Sequence, residues 1–194
     1  MFDFFNTDTT KANTNAIDLL KADHENVKEL FDEFEKSENA QARKKIVKQA
    51  LTELKLHAAL EEEIFYPAVR AHVGKDLMNE ADEEHHVAKL LVAELEDLHG
   101  RGDHFDAKFT VLAENVRHHI KEEENEMLPK AKELKMDFDK LGEKMLARKQ
   151  ELLEKGFPPV GEEKMVAATH SAGDSPARAA RKRKPARSRV LARK

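Results

Sequence analysis

Residues 55–67 read Lys-Leu-His-Ala-Ala-Leu-Glu-Glu-Glu-Ile-Phe-Tyr-Pro, and this segment carries the main evidence for the fold. His57 and Glu61 are four positions apart, which places them one turn apart on the same side of an α-helix. They belong to an apolar stripe typical of a helix face that packs inward. The stripe consists of Ile46, Ala50, Leu54, His57, Glu61, Ile64 and Ala68. Burying an unpaired polar group costs about 1–3 kcal/mol, so the sequence predicts partners for both side chains inside the fold.

The same arrangement recurs at residues 119–129, which read His-Ile-Lys-Glu-Glu-Glu-Asn-Glu-Met-Leu-Pro. His119 and Glu123 follow His57 and Glu61 at one common offset along the chain, and they again lie on an apolar stripe. This second stripe consists of Phe105, Phe109, Leu112, Val116, His119, Glu123 and Met127. A histidine and a carboxylate are therefore predicted to face inward in two matching helices.

Two further helices are predicted to carry one inward histidine each, His24 and His85, which are separated by nearly the same offset. The chain thus consists of two similar halves, each with one histidine on its first helix and a His-x-x-x-Glu pair on its second. Short connections between helices favour antiparallel neighbours. The sequence predicts an all-α fold, an up-down-up-down four-helix bundle. Six side chains are expected to converge in it: His24, His57, Glu61, His85, His119 and Glu123.

The predicted domain organisation has four parts. Residues 1–13 form an N-terminal lead-in, 14–136 the four-helix bundle, 137–156 an accessory helix outside the bundle, and 157–194 a linker and basic tail. Pro67 is predicted to kink its helix, and Pro129 to kink or end its own. Residues 172–194 hold nine Lys or Arg and one Asp, so this tail carries +8 while the whole chain carries −4. Its composition predicts disorder.

The composition excludes several kinds of protein. The absence of cysteine excludes disulfides, thiolate zinc sites and cysteine-ligated iron–sulfur clusters. Because there is no run of about 18 apolar residues, neither a membrane span nor a membrane partner is expected. The N-terminus lacks the pattern of a secretory signal, so we expect a cytoplasmic protein.

Imidazole nitrogens and carboxylate oxygens are good ligands for Fe, Mn, Zn or Cu. Glu61 and Glu123, one from each half, are expected to bridge two ions, and the four histidines would supply two nitrogens to each. Spacing alone does not distinguish iron from manganese or zinc. Tyr66 is close to Glu61 in sequence, and the sequence leaves open a role at the site or ordinary packing. The other histidines and the remaining members of the acidic runs 61–63 and 122–124 are expected to face solvent.

The pattern resembles the hemerythrin-like family, specifically its bacterial His-His-Glu cation-binding (HHE) domain. The matching motifs are Ala-Asp-His24-Glu-Asn-Val, His57-x-x-x-Glu61-x-x-x-Phe-Tyr-Pro, Glu-Glu-His85 and His119-x-x-x-Glu123, within residues 17–135. This resemblance implies a hemerythrin-type bundle with a non-haem di-iron centre. It also implies binding or sensing of oxygen, nitric oxide or peroxide, or iron handling under oxidative stress.

One departure from the family pattern concerns the predicted helix that carries His85. Oxygen-carrying hemerythrins have a second histidine four residues from the first, whereas this chain has Ala81 and Lys89 on either side of His85. The departure favours sensing, peroxide or nitric oxide chemistry, or iron handling over reversible oxygen carriage.

Three hypotheses follow. The first is a di-iron protein, not an enzyme, that binds a small diatomic ligand or peroxide. The second is an enzyme on the same scaffold that converts peroxide or nitric oxide. The third is a sensor that associates weakly with nucleic acid through the phosphate contacts of residues 172–194. The tail is alternatively a solubilising extension that lies on the acidic domain.

Overall fold

The computed structural model describes residues 14–159 and 161–166, in which every regular element is helical. The α-helices are α1 (Ala16–Lys36), α2 (Ala40–Leu60), α3 (Tyr66–Val73), α4 (Lys75–Leu98), α5 (Phe105–Glu122), α6 (Leu128–Lys132) and α7 (Phe138–Lys155). Two π-helical segments, Glu61–Phe65 and Glu123–Met127, join α2 to α3 and α5 to α6. A further helical stretch covers 161–166. The predicted lead-in (1–13) and basic tail (172–194) lie outside the described residues.

Four antiparallel rods form the bundle. They are α1, the continuous α2–α3 rod, α4, and the continuous α5–α6 rod, and each packs against its neighbours in the chain. Asn15 and Asn39 cap the first two rods, because their side chains accept hydrogen bonds from backbone N–H groups of the first turn. Gly74, with φ of 116°, reverses the chain between α3 and α4. The predicted up-down-up-down bundle is confirmed.

The two π-helical segments explain how the α2–α3 and α5–α6 rods each accommodate a proline. Pro67 has no N–H and its ring would clash with the carbonyl four residues earlier. The turn before it widens, and the N–H of Tyr66 bonds to the carbonyl of Glu61, five residues back. Pro129 follows the second segment in the same way, and α6 continues to Lys132. Each proline is therefore accommodated by a wider turn, and Pro129 does not end its helix.

The apolar core is divided into two clusters. One surrounds Leu20, Phe65 and Met127, and the other surrounds Phe31, Phe109 and Leu112. Along each rod, the predicted site residues lie between the parts that belong to the two clusters. The core is therefore polar at its middle, which is where a functional site would lie.

Helix α7 packs on the outside of the bundle against α1, α2 and the first π-helical segment, as the sequence predicts for an accessory helix. Met145 is fully buried in the core cluster around Leu20. Gly142 packs against the backbone before α1, where a Cβ atom would lie 1.7 Å from the carbonyl oxygen of Thr14. Among the described residues, no helix is long and apolar enough to span a membrane.

Candidate metal centre

The structure brings all six predicted site residues together in the middle of the bundle. The four histidines form two pairs that meet through their Nε2 atoms. His24 and His57 are 3.2 Å apart, and His85 and His119 are 3.1 Å apart. Every one of the six residues is buried, with an exposure of 7% or less. The convergence expected from the helix stripes is therefore present.

The two glutamates lie between the histidine pairs. Glu61 Oε2 is 3.2 Å from His57 Nε2 and 3.3 Å from His85 Nε2. Glu123 Oε2 is 3.2 Å from His24 Nε2 and 3.5 Å from His119 Nε2. Each carboxylate thus contacts one histidine of each pair, which is the placement that a carboxylate bridge between two ions requires.

A second layer of carboxylates faces the other ring nitrogen of each histidine. Glu124 lies 2.9 Å from His24 Nδ1, and Glu62 lies 2.9 Å from His85 Nδ1. His119 Nδ1 has Glu84 at 2.7 Å, and His57 Nδ1 has Asp23 at 3.9 Å. A carboxylate hydrogen-bonded to Nδ1 favours the neutral tautomer with its proton on that nitrogen, so the Nε2 lone pairs of His24, His85 and His119 would point into the site. His57 Nδ1 lacks a hydrogen-bond partner among the described residues.

Glu62 is exposed, as expected for a member of an acidic run, and Glu124 is half-buried, but both also contact a site histidine, which the sequence did not predict. Each lies one position beyond the inward glutamate, and each contacts a histidine of the other half of the bundle. Glu62 and Glu124 occupy equivalent positions in the two repeated segments, and this repetition could have indicated their role. Asp23 and Glu84 had a similar signal, because each directly precedes a site histidine in its own half.

Tyr66 also belongs to the site, which decides between the two alternatives that the sequence left open. Its hydroxyl donates a hydrogen bond to Glu123 Oε1 at 2.9 Å. The hydroxyl oxygen of Tyr66 also lies 3.1 Å from His85 Nε2 and 3.4 Å from His119 Nε2. Burial and the nearby charges of Glu61 and Glu123 raise the pKa of Tyr66 well above its ordinary value. The phenol therefore keeps its proton while the site holds protein atoms alone.

The donor set fits a pair of cations. Within the described residues, Glu61 Oε1 and Glu123 Oε2 are buried without a hydrogen-bond partner. Unpaired buried carboxylate oxygens are costly, and a cation would satisfy them. Two groups of potential ligand atoms are close enough to hold an ion each: His24, His57, Glu61 and Glu123, and Glu61, His85 and His119.

The pKa shifts of the histidines indicate that the site carries an excess of negative charge from its carboxylates. Burial by itself would lower the pKa of His85, but its contacts with Glu61 and Glu62 raise it to about 10. Burial also opposes protonation of His24, and Glu123 nevertheless raises its pKa. The acidic surroundings therefore favour positive charge at the imidazoles, and a metal ion would supply that charge in place of protons.

The neighbouring histidines face away from the site, as expected. His86 is 47% exposed and pairs with Glu162 at 2.8 Å. His118 is 61% exposed and lies near Glu84 and Glu122. Glu84, His118 and Glu122 form a small surface cluster of potential ligands next to His119.

An apolar chamber of about 130 Å³ adjoins the four histidines. Aliphatic side chains form most of its wall: Val27, Leu54, Ala58, Ala88, Val92, Ala93, Val116 and Ile120. Phe157 and Pro158, which follow α7, also line it. The chamber is close in size to an engineered cavity of about 150 Å³ that stays dry and binds benzene or xenon. It is therefore suited to a small, weakly hydrated molecule next to the candidate ions.

Comparison with known proteins identifies related sequences. The family model described as the hemerythrin HHE cation binding domain matches residues 15–131. A protein of Nostoc sp. named DNA nickase is 30% identical over 115 residues, which are 59% of this chain and 33% of the nickase. The match thus spans one third of that relative. The Mycobacterium tuberculosis protein Rv2633c, named as uncharacterized, is 28% identical over 142 residues, covering 71% of this chain and 87% of the relative.

A solved structure supports the same relationship. It is the crystal structure of a hemerythrin HHE cation binding domain-containing protein, the Rv2633c homologue from Mycobacterium kansasii. The two chains superimpose with a TM-score of 0.60 at 26% identity, and the match covers 71% of this chain and 86% of the other. The bundle described above is therefore an architecture that a solved structure shares.

Proposed function

The chain belongs to the hemerythrin HHE cation binding domain family, and from that premise we propose that its centre holds two non-haem iron ions. The ions would bind or sense a small ligand, namely oxygen, nitric oxide or peroxide. The ligands of the ions would be His24, His57, Glu61, His85, His119 and Glu123. Manganese and zinc are the alternatives to iron, because all three ions accept imidazole and carboxylate ligands.

One observation carries this proposal. Four imidazole Nε2 atoms and two carboxylates meet in a buried space, and two carboxylate oxygens there have no protein donor among the described residues. A purely structural cluster would pair those oxygens with hydrogen-bond donors. Two ions would satisfy them and would share Glu61 and Glu123.

The preference for a small ligand rests on the number of protein donors. Each ion would have two imidazoles and shared carboxylates, which is fewer than the six ligands of an octahedral site. Positions would therefore remain for an exogenous molecule, and the adjoining chamber offers space for one of a few atoms. The Tyr66 hydroxyl lies beside the His85–His119 pair and would be within reach of the ion there.

Metal analysis of the full chain purified from iron-supplied cells tests the proposal. We expect about two irons per chain. The double variant His57→Ala with Glu61→Ala should lose most of this metal, whereas His118→Ala should retain it because His118 faces solvent. Less than half an iron per parent chain would contradict the proposal. If the protein consumes many molecules of peroxide per iron centre, and not only a stoichiometric amount, the enzyme hypothesis would be supported.

Two observations favour association with DNA as a second candidate function. A relative that is 30% identical over 115 residues is named a DNA nickase, and residues 172–194 carry a net charge of +8. Phosphate contacts by such a tail would be sequence-independent and sensitive to salt. Binding of a DNA duplex by the full chain should weaken as salt increases and should be lost when the chain ends at residue 171. Equal binding by both chains would refute this role of the tail.

A further inference from the structure

The segment after α7 lies between the apolar chamber and solvent. Gly156, with φ of 81°, ends α7 and lets the chain turn back over the bundle. Phe157 is half-buried and Pro158 is exposed, and both line the chamber whose wall includes the four site histidines. We refer to residues 157–159 and 161–166 as the C-terminal strap. The family match ends at residue 131, so the strap is an addition to the shared domain.

The strap is fastened to two of the four rods that line the chamber. On α2, the ammonium group of Lys55 lies 5.0 Å from the centre of the Phe157 ring and 3.1 Å from Glu163. On α4, His86 pairs with Glu162, a buried residue of the strap. Phe157, Glu162 and Glu163 therefore hold the strap to α2 and α4 at once.

These anchors are weaker than the contacts of the core. They are ion pairs and a cation–π contact with partly exposed partners, together with the one buried aliphatic side chain of the strap, Val166. The polar contacts each contribute little to stability. The rods beneath are held by two large apolar clusters. The strap is consequently the part of the chamber wall that opens at the lowest free-energy cost.

We propose that the C-terminal strap is a gate on the chamber, with Phe157 as its closing side chain, and that it admits small uncharged molecules in preference to anions. This proposal rests on the function proposed above, since it names the class of ligand that reaches the same centre. It assigns roles in ligand selection to Phe157, Glu162 and Glu163, none of which lies within the matched domain.

The charges around the chamber support the preference for uncharged ligands. Carboxylates outnumber ammonium groups in the lining, so an approaching anion would meet a net negative charge. The charged lining residues are Asp23, Glu62, Glu63 and Glu163 against Lys55 and Lys89. It would then lose its hydration against aliphatic side chains, which is costly for a charge. A diatomic molecule without net charge meets neither barrier.

Xenon binding to the metal-free full chain tests the chamber and the gate without any bound metal. Xenon should bind in the parent, as monitored by xenon-129 NMR, and Ala88→Leu should abolish binding by filling the chamber. Phe157→Ala should exchange xenon faster by about tenfold, because the closing side chain is gone. Leu153→Ala, at a 58% exposed position on α7, should exchange xenon at the parental rate.

Ligand binding to the iron-loaded chain tests the selectivity. Rates for nitric oxide and for azide are measured by stopped flow, as examples of an uncharged and an anionic ligand. Phe157→Ala should increase the rate of azide binding by about tenfold and the rate of nitric oxide binding by about twofold or less. Glu163→Gln removes one carboxylate from the chamber wall without enlarging the chamber, while Lys55 keeps its ion pair with Glu96. It should therefore accelerate azide binding more than nitric oxide binding, and by less than Phe157→Ala does.

The outcomes of these experiments separate this proposal from the proposed function. A chain without iron would refute the di-iron function, and the xenon exchange rates would still decide whether the strap is a gate. Unchanged xenon exchange in Phe157→Ala would overturn the gate. Equal acceleration of azide and nitric oxide in the iron-loaded variant would overturn the selectivity.

Discussion

Tyr66 and Leu128 occupy matching positions in the two halves of the bundle, each directly before a proline, yet only Tyr66 brings a hydroxyl to the buried site. Leu128 is part of an apolar core cluster. The surrounding His, Glu and outer carboxylate residues all have counterparts in the other half. The hydroxyl is therefore a difference between two otherwise similar halves, and it lies beside the His85–His119 pair.

Replacing Tyr66 by Phe should destabilise the metal-free chain. The variant keeps the ring and removes the hydroxyl that donates to Glu123 Oε1. A buried acceptor left without its donor costs about 1–3 kcal/mol, so the free energy of unfolding should fall by that amount. Urea denaturation after removal of metal with a chelator measures it. A variant as stable as the parent would show that the hydrogen bond contributes nothing to the metal-free fold.

The position of Tyr66 illustrates what the helix pattern could not predict. In an α-helix a residue five positions after Glu61 points about 140° away from it. The π-helical segment widens that turn, so Tyr66 points inward with Glu61. Pro67 was visible in the sequence, but whether a helix bends, stops or widens before a proline depends on its packing. A helix stripe therefore indicated His57 and Glu61 and left the role of Tyr66 open.

The outer carboxylates were missed for a different reason. Glu62 and Glu124 lie beside the stripe, and their histidine partners belong to the other half of the chain. Contacts across the bundle depend on how the rods rotate against each other, which a single helix pattern does not specify. The bundle and the six inward residues could be predicted from the helical periodicity of the sequence and from its repeated segment. The strap over the chamber could not, because it depends on tertiary packing.

Glu62→Gln should weaken metal binding by about 10–100-fold, the usual effect of losing a carboxylate behind a histidine ligand. Glu62 lies 2.9 Å from His85 Nδ1, and an amide there would neither carry charge nor enforce the same tautomer. Competition with a metallochromic chelator measures the affinity. The adjacent Glu63→Gln is a matched control, because Glu63 pairs with Arg148 on the surface. Equal affinities of the two variants would contradict the role of Glu62.

Metal removal should lower the stability of the parent chain. Ions that bind only the folded state stabilise it by about 2.7 kcal/mol at a free concentration of 100 times Kd. Within the described residues the metal-free site leaves Glu61 Oε1 and Glu123 Oε2 without a hydrogen-bond partner. Calorimetric Tm should therefore rise when ferrous iron is added anaerobically to the metal-free parent. His57→Ala with Glu61→Ala should show no rise, and a parent Tm insensitive to iron, manganese and zinc would refute a metal site.

Gly142→Ala should destabilise the fold, although glycine inside a helix is usually less favourable than alanine by about 1 kcal/mol. The new Cβ would lie 1.7 Å from the Thr14 carbonyl oxygen, a backbone atom that cannot turn aside. Helix α7 must then move away from α1, and overpacking of this kind costs about 1–3 kcal/mol. Urea denaturation of the full chain measures the loss. Gly161→Ala is the control, because its Cβ would meet no atom within 4 Å. If Gly142→Ala were as stable as the parent, the close contact between α7 and the start of α1 would be wrong.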